Sequence, residues 1–90
     1  MRAKAFKEID LLEEFGMGLR EPYSKHIKEG VFELRIKVAS DISRIFYFFF
    51  DRKKIVLTNG FIKKTQKTPE KEIEKALKFK ADYERRKKND

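Results

Sequence analysis

The stretch VFELRIKVASDISRIFYFFF, residues 31–50, decides the fold. In its first half Phe32, Leu34, Ile36 and Val38 alternate with Glu33, Arg35 and Lys37. Successive side chains of a strand point to opposite faces, so this alternation predicts a strand that is apolar on one face and charged on the other. Ala39-Ser40-Asp41 predicts a tight turn. From Ile42 to Phe50 the chain is rich in β-branched and aromatic residues and the alternation is lost, the pattern of a central strand covered on both faces.

Working outward, Asp51 to Lys54 is a polar turn and Ile55 to Ile62 a further long strand. Thr68-Pro69 predicts a helix start, with Glu70 and Glu72 suited to the positive end of the helix dipole. Ile73, Ala76, Leu77 and Lys80 continue at helical spacing, with Phe79 and Tyr83 widening the apolar side, and the helix frays after Arg85. Upstream, a short segment, Lys25 to Lys28, enters the first long strand through Glu29-Gly30. Before it, Phe6, Ile9, Leu12 and Phe15 recur every third position and predict an amphipathic helix from Ala3 to Phe15. Gly16, Gly18 and Pro22 make residues 16–24 a connection. The order is helix, antiparallel meander, helix. It predicts one α+β domain over residues 1–90, a small antiparallel β-sheet with flanking helices. With the helices on the apolar face, the Glu33-Arg35-Lys37 face is expected to be left open as a basic concave surface.

Composition narrows the function. Ninety residues hold one modest core. With no cysteine, disulfides, cysteine-ligated zinc and thiol catalysis are excluded, which suits a reducing compartment. The longest apolar run, Ile45 to Phe50, is far short of the roughly 20 residues that cross a bilayer, and the N-terminus has no signal-peptide pattern. The expectation is a cytoplasmic protein without membrane partners. Net charge is +8, and it is uneven: residues 1–30 are neutral, 31–60 carry +3 and 61–90 carry +5. A polyanion is the natural partner of the second half; a lysine-rich solvated surface is the plainer reading.

No Ser-His-Asp set, glycine-rich phosphate loop or metal-ligand cluster can be assembled, so neither metal nor cofactor is expected. His26, the single histidine, reads as a surface or partly packed side chain. Glu33 and Asp41 could pair as carboxylates, but Arg35 and Arg44 nearby make ion pairing the better use. What remains is cationic: Arg35, Arg44 and the run Lys63-Lys64-Thr65-Gln66-Lys67. That run precedes a helix N-terminus, where unpaired N–H groups already favour an anion. Arg44 lies in an apolar strand and needs either a carboxylate, Glu33 or Asp41, or a phosphate that its guanidinium fork can grip.

Tyr23 to Lys25, then Phe32-Glu33-Leu34-Arg35, Ser43-Arg44-Ile45-Phe46-Tyr47-Phe48, and Asn59 through Pro69 followed by Glu72-Ile73 form an ordered set. Together they resemble the phage-derived, HigB-like branch of the RelE/ParE toxin superfamily, from the first helix to about Tyr83. The resemblance implies a RelE-like microbial RNase fold that presents basic residues to messenger RNA in the ribosomal A site. It implies a metal-free endoribonuclease in which the ribose 2'-hydroxyl attacks the adjacent phosphorus and the 5'-oxygen leaves. An arginine would stabilise the phosphorane charge and lysines would orient or exchange protons.

Carried over by position, Arg35 and Arg44 match the superfamily's basic strand positions, and Lys63 or Lys64 the basic residue after the last strand. Lys25, Lys37 and Lys67 are the expected nucleic-acid contacts. The family opens with a strand and a further helix, so the resemblance implies a toxin domain shortened at its N-terminus, whose exposed sheet edge invites a homodimer or an antitoxin. Tyr83, far along the last helix, is expected to pack there and not to act as a catalytic tyrosine. The implied partners are messenger RNA, the ribosome and a helix-turn-helix, HigA-like antitoxin. Two other readings share the fold: a ParE-like gyrase inhibitor, and an inactive relative that only binds RNA or an antitoxin.

Overall fold

The computed structural model describes residues 2–38, 41–51, 54–62 and 68–88. Helix α1 (Arg2–Phe15) ends in a single 3-10 turn, Gly16–Gly18, and four strands follow: β1 (Ser24–Lys28), β2 (Val31–Val38), β3 (Asp41–Phe50) and β4 (Lys54–Ile62). Helix α2 (Glu70–Lys88) closes the chain. The strands form one antiparallel sheet in the order β1-β2-β3-β4, each paired with its sequence neighbour. The architecture is α+β, as the sequence predicts.

The segment entering the first long strand is itself a strand. Its polar sequence, SKHIK, has no apolar alternation to announce it, because as an edge strand it buries Ser24 and little else. Glu29 and Gly30 join it to β2 with φ of 48° and 83°, the left-handed conformation that tight hairpins require. A side chain at Gly30 would also meet the Lys80 stem at 3.3 Å, so α2 lies close over this hairpin.

The alternation in β2 is realised, and it is used differently from the expectation. Leu34 and Ile36 are buried on one face, where Leu12 of α1 packs with Leu34 and Tyr47, and Ile9, Phe32, Phe49 and Ile55 close the margin. The other face is not left open. Helix α2 lies on it, setting Ile73 and Ala76 against Val31 and Phe46, with Ile27, Phe61 and Leu77 around them. The two helices therefore sandwich the sheet. The expected basic concave surface is replaced on most of this face by a second apolar layer, because Val31, Phe46 and Phe48 share it with Glu33 and need cover. This is why β3 lacks alternation: Tyr47 is buried under α1 while Phe46 and Phe48 are buried on the side of α2.

Two aromatic residues assigned to helix stripes turn outward. Phe15 is 55% exposed, since a three-residue spacing drifts by about 60° per step around a helix of 3.6 residues per turn. Phe79 is 54% exposed, and its place against the sheet is taken by Lys80, whose ammonium lies 5.9 Å from the Phe48 ring centre and pairs with Glu84 at 3.1 Å. Tyr83 packs edge-on to Phe48 and Phe50, as expected.

Candidate nucleic-acid interface

Residues directly opposite in neighbouring strands share a face of the sheet. Register places Arg35 of β2 opposite Arg44 of β3, and Arg44 opposite Phe61 of β4. Tyr23, one residue before β1, accepts a 2.9 Å hydrogen bond at its carbonyl from the Arg35 N–H, which continues the row by one step. One line across the sheet thus reads Tyr23, Arg35, Arg44, Phe61. Its Phe61 end is packed under α2, Arg44 is buried, and Arg35 and Tyr23 are exposed.

Arg44 answers the question its sequence position raised. Its Nε donates to Glu33 Oε1 at 2.6 Å, with 3% and 6% of the two side chains exposed, and its Nη1 donates to the Ser43 carbonyl at 3.3 Å. Glu33 is the described partner, and the Asp41 side chain lies outside the described residues. The carboxylate is held from a second side by the Thr68 hydroxyl, which donates to Oε2 at 3.0 Å. Thr68, expected only as a helix cap, thereby fastens the approach to α2 onto β2. The helix backbone begins one residue later, with the Glu72 and Ile73 N–H groups donating to the Pro69 carbonyl.

A bulge supplies a second fastening. Between the Ile45–Gly60 and Tyr47–Leu57 pairs, Thr58 and Asn59 of β4 oppose Phe46 alone. The Thr58 hydroxyl donates to the Phe46 carbonyl at 3.3 Å, and Asn59 Nδ2 donates to both the carbonyl and the Oε1 of Glu72. The first turn of α2 is thus bonded to β2 through Thr68 and to β4 through Asn59. Sequence reading missed these two as organisers. Their signal was present in the motifs Asn59-Gly60 and Thr68-Pro69, but the partners come from other strands.

Of the remaining site residues, Lys25 is exposed on β1 opposite Glu33. Lys37 belongs to β2, and its side chain, together with Lys63, Lys64 and Lys67, lies outside the described residues. The structure therefore brings together Arg35, Arg44 and Lys25 around Glu33. His26 is exposed, sits edge-on to Phe32 and accepts a 3.2 Å bond from the Gly30 N–H at Nε2. Beside the row, Ile36, Ser43, Arg44, Ile45, Gly60, Phe61 and Ile62 line a shallow, mostly apolar depression of about 310 Å³. Among the described residues no group of three His, Cys, Asp or Glu side chains could hold a metal, and no helix is long and apolar enough to cross a membrane.

Comparison with curated proteins gives no match. The model of the phage-derived Gp49-like protein family (DUF891) matches residues 1–81, which takes in α1, the whole sheet with its arginine row, and α2 as far as Ala81. That family is associated with the toxins of toxin-antitoxin systems, which points to an antitoxin as a partner. By this match over most of its length, the chain belongs to the phage-derived Gp49-like family.

Proposed function

We propose that this chain is a RelE/HigB-like toxin of a type II pair, a single cytoplasmic domain that cleaves messenger RNA on the ribosome and is silenced by a helix-turn-helix antitoxin. The observation that carries the reading is the arginine row. Arg35 stands exposed beside an arginine whose own charge is fixed in place by Glu33 and Thr68. Ile62, opposite Ser43, and Thr68, bonded to Glu33, both flank Arg44, and in sequence the run from Lys63 to Lys67, outside the described residues, joins them. In this reading Arg35 grips the scissile phosphate and stabilises the charge growing on the phosphorane, while Arg44, its own charge paired with Glu33, fixes the row beside it. Lys63 and Lys64 hold the phosphate and serve the proton transfers, while Lys25, Lys37 and Lys67 track the flanking backbone.

The test is cleavage of a defined message on translating ribosomes by wild type and by Arg35→Ala. Cleavage by wild type, reduced about a hundredfold in the variant, supports the proposal. An intact message together with inhibited gyrase replaces it with the ParE-like reading. An intact message and unaffected gyrase leave a binding protein only.

A further inference from the structure

Tyr23 has no part in the core. The residue is 46% exposed, yet its backbone is tied on both sides: its N–H donates to the Arg20 carbonyl at 3.0 Å and its carbonyl accepts from the Arg35 N–H at 2.9 Å. The Ser24 N–H also donates to Arg20, and the Ser24 hydroxyl is bonded to the buried Tyr47 phenol, so the residue after Tyr23 is anchored in the core. An aromatic ring on a backbone this constrained is held at a fixed place on the surface, so less order has to be imposed when a partner meets it.

Its surroundings are cationic. Arg20, Lys25 and Arg35 are all exposed around it, with Glu21 the one acid of the same turn. Arg35 is opposite Tyr23, and Arg44 is one strand further, about 10 Å away at two strand spacings. Exposed aromatic rings beside backbone-gripping cations are how proteins hold unpaired bases, since every base has a face to stack.

We infer that Tyr23 is a stacking platform for one unpaired RNA base, adjoining the phosphate that Arg35 grips. The inference rests on the RNA reading above and adds to it a residue that contacts the base, so that substrate is recognised as single-stranded RNA and not as a charged backbone alone.

The chain contains no tryptophan, so Tyr23→Trp places a single fluorescent reporter at the position. The probes are a short single-stranded oligoribonucleotide and an abasic oligomer of the same length and charge. The expected result is quenching by the first and little by the second. Alongside, Tyr23→Ala weakens binding of the oligoribonucleotide roughly tenfold or more, and Tyr23→Phe keeps it close to wild type. Both variants keep the wild-type unfolding midpoint, because the ring is exposed. If wild type binds the oligoribonucleotide and Tyr23→Ala binds it equally well, the platform is overturned and the RNA reading stands. Equal quenching by the abasic oligomer overturns it in the same way. If wild type binds no RNA, free or on ribosomes, the functional reading fails and the platform with it.

Discussion

Glu33 and Arg44 are two positions apart in the β2–β3 register, diagonal neighbours on one face, and their 2.6 Å contact is buried beside the first turn of α2. Removing one member leaves the other charge in a dry site. Glu33→Ala is expected to cost about 3–5 kcal/mol, and Arg44→Ala a similar amount, read as the urea midpoint at constant slope. The pair Glu33→Leu with Arg44→Met is expected to recover most of that loss. Equal midpoints for wild type and Glu33→Ala would show that the pair is not closed in solution. It follows that loss of activity in Arg44→Ala cannot be read as lost chemistry until its folding has been measured.

Arg35 lies in the same row but is exposed, so its replacement separates binding from folding. Arg35→Ala is expected to move stability by less than about 0.5 kcal/mol. RNA affinity should fall, and the slope of log affinity against log salt should flatten by about 0.7, one phosphate on a single strand. Titrations at several salt concentrations check this; an unchanged slope would mean that Arg35 meets no phosphate.

Tyr47 gives a pH signature. Burial raises its pKa above 10.0, and the hydrogen bond with Ser24 offsets this only in part. The folded state therefore holds the phenolic proton more tightly than the unfolded chain. The resulting stability is fully present below the unfolded value and is lost as pH rises through the folded one. Urea midpoints should fall steadily from about pH 10 upward, and Tyr47→Phe should remove that part of the slope while costing about 1 kcal/mol at neutral pH for the Ser24 hydroxyl left behind.

Ala76 is fully buried where α2 crosses Val31 and Phe46. Ala76→Leu is expected to cost about 1–3 kcal/mol by overpacking, with lifting of the helix start seen as faster amide exchange at Ile73. A neutral midpoint would place α2 further from the sheet than described.

Period-two alternation in residues 32–38 and its loss in 42–50 made the two middle strands readable, because packing on a sheet acts on each face separately. Strand β1 was hidden because an edge strand carrying Lys25, His26 and Lys28 contributes almost nothing to the core. The site was half legible. Arg35 and Arg44 stood out as cations among apolar residues, and Glu33 was one of two acids named for Arg44. The placement of α2 over the Glu33 face was not legible. Charges at 33, 35 and 37 signal solvent, and the tertiary pairing of Glu33 with Arg44 and Thr68 helps that face to be covered.

Because α2 follows all four strands in the sequence, one face of the sheet is covered only after the sheet can form. A nascent chain synthesised through Ile62 can pair all four strands through short hairpins, yet Val31, Phe46 and Phe48 stay uncovered until the turns bearing Ile73, Ala76 and Tyr83 have emerged. The Glu33–Arg44 pair is likewise hydrated until then. A chain halted before residue 73 would expose an aromatic sheet face to chaperones and proteases, and one completed past Tyr83 would not. Emergence of α2 is therefore the step at which the sheet passes from a degradable hairpin array to a covered core.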